Sequence, residues 1–288
     1  MDTLRVLLRE NRLPRLEMRM LWQHVLQVPR SWLIAHDTDT LDPEHVTRYR
    51  QLERRRLLGE PMAYILGYRE FMSREFQVTP DVLIPRPETE VLVETALSWL
   101  GGRRRRQADT FPADDAADAG PSVLDLGTGT GVIAISMALE HPGVRVTATD
   151  ASAAALRVAR ENAKSLRASV EFLTGNWYDA LSGTAHNGFD LIISNPPYID
   201  ASDPHLSQGD LRFEPGMALT DGKNGLSALK IISAGAGKWL KKGGALFVEH
   251  GWVQAEAVRG LLRDAGFSDV DSVPDLAGIP RVTGGIYN

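Results

Sequence analysis

The sequence predicts an α/β chain built on a doubly wound, largely parallel sheet with a small helical domain in front of it. Three observations carry this expectation. Beyond residue 121, short apolar runs alternate with stretches of helical period. A chain of 288 residues, 43% of them hydrophobic, is long for one average domain. Charge also changes along the chain: residues 1–80 hold 13 Arg, no Lys and 11 acids, a net +2, whereas residues 81–288 carry a net −7.

The elements follow in order. Leu4, Leu7 and Leu8, then Met18, Leu21, Trp22, Val25 and Leu26, recur at helical spacing until Pro29 breaks the pattern. Asp42-Pro43-Glu44 has the form of an N-cap, a proline at the first helical position and an acid in the first turn, opening a helix that Gly59 closes. Residues 1–58 therefore read as a helical domain, and its Arg-rich character makes it the better candidate for docking a substrate. Phe71, Phe76, Val78 and Val82 alternate with polar residues, and Pro80-Asp81 reads as a turn, so residues 59–86 form a hairpin-like connector. A helix over 87–100 opens the domain at 87–288. Residues 101–121, with Arg103-Arg104-Arg105-Arg106 and little that is apolar, read as a flexible surface insertion. Strands follow at 123–126, 144–149, 170–173, 189–194 and 245–249, with short candidates at 270–273 and 281–287. Helices run to 140, over 153–166, around 226–240 and over 254–265. Nearly continuous apolar strands separated by helices argue for a parallel sheet covered on both faces.

Composition excludes several function classes. With no Cys, disulfides, thiolate metal sites and a cysteine nucleophile are ruled out. No apolar run is long enough to span a bilayer, and the Arg-studded start lacks a secretory core, so the expected setting is soluble and cytoplasmic, without a membrane partner. A net charge of −5 opposes direct binding of a long nucleic acid. The seven His residues show no helical i, i+4 pair and no carboxylate cluster, so no metal site is expected, and His250 reads first as a surface or strand-capping residue.

The strand Val123-Leu124-Asp125-Leu126 runs into Gly127-Thr128-Gly129-Thr130-Gly131 and then a helix. Such glycines let the backbone turn tightly and approach a ligand at the carboxyl end of the first strand of a Rossmann-like sheet. The dinucleotide fingerprint fails because Val132 stands where its third glycine belongs, and a Walker loop fails because no Lys precedes residue 164. What is left is a glycine loop with an acid, Asp150, at the end of the next strand, able to accept bonds from the ribose hydroxyls of an adenosine. This arrangement resembles S-adenosylmethionine-dependent methyltransferases; a glycine turn that merely packs helix on strand is the plain alternative.

The strand at 189–194 ends in Asn195-Pro196-Pro197-Tyr198. A planar amide or amino nitrogen is a poor nucleophile because its lone pair is delocalised, and a site helps by accepting its N–H groups. The Asn195 side-chain oxygen and the Pro196 carbonyl are suitable acceptors, the prolines remove competing donors and fix φ, and the Tyr198 ring can stack on the planar group. Catalysis is then mainly positioning. A buried strand end with a Pro-Pro turn is the alternative reading of the same residues.

The surrounding runs narrow the choice. Leu83-Ile84-Pro85-Arg86-Pro87-Glu88-Thr89-Glu90, the Asn195–Tyr198 string with its flanks, Gly209-Asp210-Leu211-Arg212-Phe213-Glu214-Pro215, Glu249-His250-Gly251, and Asp275-Leu276-Ala277-Gly278 with Arg281 occur in one order that resembles the HemK/PrmC family. That family methylates the side-chain amide nitrogen (N5) of the glutamine in the Gly-Gly-Gln motif of class-1 peptide chain release factors. The resemblance implies a mostly parallel sheet whose last strand is antiparallel, S-adenosylmethionine as cofactor and a release factor as partner. It further implies cofactor contacts from Gly127, Thr128, Gly129, Thr130, Gly131, Asp150, Trp177 and Asn195. The glutamine pocket it implies is made by Asn195, Pro196, Pro197 and Tyr198, with Asn195, Pro196 and Tyr198 catalytic. Trp177 is otherwise a core aromatic. Arg86, Glu88 and Thr89 either border the site or form a charged helix start. Departures are Phe71-Met72-Ser73, which lacks an expected glycine, Asn224 in place of Asp, and the long insertion. Competing readings are a glutamine methyltransferase of a ribosomal protein, an adenine-N6 methyltransferase of DNA or RNA, and an inert binding module.

Overall fold

The first unit of the computed structural model comprises residues 1–68 with 208–213. The structure describes residues 3–10, 12–110, 120–183 and 188–288, apart from the side chains of 104–110. The unit consists of α1 (Leu4–Arg9), α2 (Arg15–Leu26), α3 (Arg30–Ala35), α4 (Pro43–Leu57) and α5 (Met62–Leu66). Asp42 caps α4, its carboxylate accepting the Glu44 N–H at 2.8 Å, with Pro43 at the first helical position where no amide is required. The apolar stripes of α1 and α2 meet over Trp22, which stacks on Tyr49 of α4 at 4.1 Å. Arg50 of α4 binds Glu10 and the buried Glu53, and Arg56 binds Glu17. The unit ends at Tyr68 rather than at residue 58, because Ile65 and Leu66 of the short helix α5 enter this core.

The second unit, residues 69–207 and 214–288, begins in the hairpin β1 (Tyr68–Phe71) and β2 (Arg74–Gln77). Its turn is Met72-Ser73, both left-handed at φ 47° and 60°, where the sequence lacks the expected glycine; Pro80-Asp81 forms a separate turn, closed by the Val82 N–H on the Thr79 carbonyl at 3.1 Å. The Met72-Ser73 backbone normally favours glycine in a two-residue hairpin; here the Met72 N–H is held by the Glu90 carboxylate at 2.8 Å. Asn162 ties the hairpin to the rest of the unit: it accepts the Gln77 N–H at 2.7 Å and donates to the carbonyls of Gln77 and Thr130 at 3.0 and 2.9 Å. It is 2% exposed. Asn162→Ala removes one buried and two part-buried hydrogen bonds to backbone and is expected to lower stability by about 2 kcal/mol, to be read from the urea midpoint; a loss below about 0.5 kcal/mol would contradict the tie.

Helix α6 (Thr89–Thr110) runs past the expected end at residue 100, straight through Gly101-Gly102 into the segment expected to be a flexible insertion. Arg103 explains part of this: its guanidinium lies over Trp99 at 5.3 Å and pairs with Asp190 at 3.3 Å, so this arginine is engaged rather than solvated. Residues 111–119 of the predicted insertion lie outside the described residues.

The sheet is built by β3 (Ser122–Leu126), α7 (Val132–Glu140), β4 (Arg145–Asp150), α8 (Ala153–Leu166), β5 (Val170–Thr174), β6 (Phe189–Ser194), α9 (Gly216–Leu219), α10 (Ser227–Ala236), β7 (Leu240–Glu249), α11 (Ala255–Asp264), β8 (Phe267–Pro274) and β9 (Pro280–Tyr287). Strand order is β5-β4-β3-β6-β7-β9-β8, parallel from β5 to β7, with the last strand in sequence, β9, antiparallel to both neighbours. Side chains alternate between two cores, Val123, Leu191 and Ile193 under α6 and α7, and Leu124, Leu126 and Ile192 under α10 and α11. From β3 the chain winds to β4 on one side and later to β6 on the other. Loops leaving the carboxyl ends of β3 and β6 therefore diverge and leave a crevice.

Candidate active site

The glycine loop after β3 folds back on β4: the N–H groups of Gly127 and Thr128 both donate to the Thr149 carbonyl at 2.9 Å. Gly127, Gly129 and Gly131 have φ of 74°, 54° and 84°, a region that side chains with a Cβ adopt only under strain. A Cβ on Gly127 would also meet Trp177 Cζ3 at 3.3 Å, so the indole covers the loop at its first glycine. Trp177 itself is left-handed, φ 49°, a conformation rare for a bulky residue, where the chain leaves β5 for a 3-10 turn. Asp150 ends β4 and braces the loop: Oδ2 accepts the Gly129 N–H and Oδ1 the Ser152 N–H, each at 2.8 Å. Burial raises its pKa, against the pull of these two bonds. Each oxygen keeps lone-pair capacity for a further donor.

These elements open on one cavity of about 330 Å³. Of the residues expected at the site, Gly127, Thr128, Gly129, Thr130, Asp150, Trp177, Asn195 and Pro197 line it together. Gly131, Pro196 and Tyr198 do not: Gly131 is the N-cap of α7, Pro196 is buried, and Tyr198 lies behind the wall. The Tyr198 O–H donates to Glu249 Oε1 at 3.1 Å and its carbonyl accepts Gln254 Nε2 at 3.0 Å. Arg86 and Thr89 line the cavity and Glu88 does not. Arg86 pairs with the buried Glu214, whose second oxygen takes the Ile84 N–H at 3.0 Å, which fixes the segment before α6. Asn195 donates through Nδ2 to Thr89 Oγ1 at 3.1 Å.

Sequence reasoning did not anticipate Val82 and Leu83, or Met217, Ala218 and Ile231, which give the cavity its apolar wall. Their spacing carries no signal beyond that of ordinary core. Glu249 was singled out only within a family run, although it is the buried partner of Tyr198. His250 is fully buried, neither surface residue nor cavity wall: it closes β7 through contacts to the Gly251 carbonyl at 2.9 Å and Thr283 Oγ1 at 2.7 Å. Among the described residues no group of three or more His, Asp and Glu is arranged to hold a metal ion, and no helix is long and apolar enough to cross a membrane.

Two carboxyls beneath the site resist ionisation. Burial pushes Asp125 and Glu249 up to about 7, the former despite a 2.6 Å bond from the Thr128 hydroxyl and the latter despite the Tyr198 and Thr89 hydroxyls. A folded-state pKa above the unfolded one gives stability that is present at acid pH and lost as pH rises through about 7. The lowered pKa of His250 works in the opposite direction but is complete once pH exceeds the ordinary imidazole value of about 6.5. Stability from these two carboxyls is therefore expected to fall from about pH 4, where they ionise in the unfolded chain, to about pH 7, where it levels off, with about 1 kcal/mol for each carboxyl still to be lost between pH 6 and 8. Glu249→Gln should reduce that slope; urea midpoints that do not move between the two pH values would contradict it.

A glycine loop at the first strand, an acid at the second, and Asn-Pro-Pro-Tyr at the fourth, around one cavity of a seven-stranded sheet, define a methyltransferase of the doubly wound class. Residues 2–67 match the PrmC N-terminal domain family and residues 109–209 the methyltransferase small domain family. The chain is 57% identical over 285 residues to a release factor glutamine methyltransferase of Bordetella pertussis, covering 99% of both chains. A release factor glutamine methyltransferase of Neisseria gonorrhoeae is 48% identical over 96% of this chain and 95% of its own. The chain belongs to the release factor glutamine methyltransferase family. Among solved structures, a 16S rRNA N2 G1207 methyltransferase of T. thermophilus in complex with AdoMet and guanosine is 18% identical with a TM-score of 0.54, over 77% of this chain and 50% of that one; this likeness concerns the fold.

Proposed function

We propose that this chain transfers a methyl group from S-adenosylmethionine to the N5 nitrogen of the glutamine in the Gly-Gly-Gln motif of class-1 peptide chain release factors, in the cytoplasm, and so modulates translation termination. One observation carries this reading: Asn195 reaches into the cavity that the glycine loop and Asp150 also line, with its Nδ2 engaged by Thr89 and its Oδ1 left as an acceptor. The residues fit the cofactor. Gly127, Thr128, Gly129 and Thr130 line the cavity, with Gly127 too close to Trp177 for a Cβ and Gly129 in a left-handed conformation, Gly131 is the N-cap of α7, Asp150 offers acceptors for a ribose, and Trp177 supplies an aromatic wall. Bound there, S-adenosylmethionine supplies an electrophilic methyl on a sulfonium.

The chain's own contribution is alignment. Asn195 Oδ1 accepts an N–H of the glutamine amide, which holds the nitrogen in place and makes its lone pair more available. Pro196 and Pro197 bring no backbone N–H to compete. The apolar wall of Val82, Leu83 and Met217 keeps water from the reacting nitrogen. The glutamine nitrogen would gain the methyl carbon as that carbon's bond to sulfur breaks, and one amide proton would pass to solvent. No metal enters this account.

The first unit is proposed to dock the protein substrate. A cleft in it is lined by Arg5, Arg9, Arg15, Arg19 and Arg30. Arg5 is held by Asp37 at 2.9 Å, while the other four have no ion pair among the described residues. Reversing charge with Arg15→Glu and Arg19→Glu together is expected to raise KM for the release factor about tenfold and leave cofactor affinity unaltered; an unaltered KM would remove the docking role. The reading as a whole is tested by incubating the enzyme with labelled donor and, in parallel, a release factor, ribosomal protein and duplex DNA. Label is expected in the release factor; label in either of the others, with none in the release factor, would replace the reading.

A further inference from the structure

Glu249 is 1% exposed and lies outside the cavity, yet it ends β7 beside the two side chains that matter most to the site. Its Oε1 accepts the Tyr198 O–H at 3.1 Å. Its Oε2 meets no partner at full hydrogen-bond geometry among the described residues, although the Thr89 hydroxyl stabilises the ionised carboxyl. Thr89, 2% exposed at the start of α6, takes the Asn195 Nδ2–H at 3.1 Å. Three elements distant in sequence thus bring Thr89, Asn195, Tyr198 and Glu249 into one buried array.

The array has a direction. A carboxylate only accepts, a hydroxyl can do either, and a side-chain amide has one accepting and one donating edge of nearly equal shape. When Glu249 is ionised, above the pH of about 7 to which burial raises it, the Thr89 O–H turns toward the carboxylate and its lone pair toward Asn195, which engages Nδ2 and leaves Oδ1 for the cavity. With a neutral amide in place of the carboxylate, Thr89 is free to donate to Oδ1, and Asn195 then presents its NH2 edge. That edge opposes the N–H groups of an incoming amide, because two donors cannot pair.

We infer that Glu249 and Thr89 are positioning residues that set which edge of the Asn195 amide faces the cavity. This rests on the reading under Proposed function, in which Asn195 receives an N–H of a substrate amide. Neither residue needs to touch the substrate to act.

The test uses the full chain with Glu249→Gln, Thr89→Val and Thr89→Ser beside the parent, measuring kcat and KM for release factor, the Kd of S-adenosylhomocysteine, and thermal stability. Glu249→Gln and Thr89→Val are expected to lower kcat about 10- to 100-fold. Kd should stay within about twofold, and Thr89→Ser, which keeps the hydroxyl, should retain parental kcat. Parental kcat in Glu249→Gln or in Thr89→Val, an equal fall in Thr89→Ser and Thr89→Val, or a loss of cofactor affinity matching the loss of kcat would each overturn the inference. If Glu249→Gln does not fold, the Thr89 pair decides alone. A second readout is the Asn195 side-chain NH2 resonance in the 15N-labelled chain, expected to shift in Glu249→Gln and Thr89→Val and not in Thr89→Ser. If the parent transfers no methyl to release factor, the substrate reading fails, and this resonance alone decides the positioning claim; no shift overturns it.

Discussion

Asn195→Ala is expected to lower kcat on release factor about 100- to 1000-fold, while the Kd of the cofactor changes by less than about tenfold. The size follows from what the residue does. Its Oδ1 is a preorganised acceptor at the end of a fully buried strand, held from behind by Thr89, and it acts on the nitrogen whose lone pair must be freed. Truncation leaves the cavity and the glycine loop intact but removes the side-chain acceptor for the amide. Steady-state turnover paired with calorimetric titration of the cofactor separates the two effects. An equal fall in turnover and in cofactor affinity would mean that Asn195 is a cofactor ligand and nothing more.

Gly225→Ala should be nearly as damaging although residue 225 does not line the cavity. Gly225 has φ +75°, and a Cβ there would lie 2.1 Å from the Tyr198 carbonyl oxygen and 3.0 Å from Gln254 Nε2. Gln254 donates to the carbonyls of both Tyr198 and Gly225, at 3.0 and 3.3 Å, so the two backbone segments are held against each other. The methyl group has to displace the Tyr198 peptide, and with it the Asn195-Pro196-Pro197 turn. A stability loss of about 3 kcal/mol is expected from left-handed strain plus overpacking, with turnover down about 100-fold. Gly222→Ala is the control, since Gly222 has φ +72° but open space around its Cβ position; it should show only the conformational part, about 1 kcal/mol, with parental turnover. Equal behaviour of the two variants would show that the close approach to Tyr198 is unimportant.

Much of this architecture is legible in the sequence because its central strands are buried on both faces. β3 and β6 are fully buried along their length, so apolar residues dominate them with Asp125 and Asp190 as the single acids, and helix α8 matches its expected bounds of 153–166 because Ser152 caps it and polar residues mark its outer face. The glycine loop was visible for the same kind of reason, a local need for positive φ. Features set by distant partners were not. Arg103 belongs to a long helix because of Trp99 and Asp190, and nothing in a run of four arginines announces that. Met72-Ser73 forms a left-handed turn without glycine while Glu90 holds the Met72 amide from another element. Glycines at 243 and 244 hid the first half of β7, which starts at Leu240 rather than at residue 245. At the site, the string Asn195 to Tyr198 is legible, but only the fold shows that the Tyr198 hydroxyl is engaged by Glu249.

The central claim is that this chain methylates a glutamine amide through Asn195. The measurement that bears on it most directly is mass spectrometry of the Gly-Gly-Gln peptide from release factor incubated with the enzyme and a deuterated-methyl donor. The account predicts one labelled methyl on the glutamine N5, none in a Gln→Ala release factor, and a trace with Asn195→Ala enzyme. Label on another residue, or undiminished label from the Asn195→Ala enzyme, would contradict it.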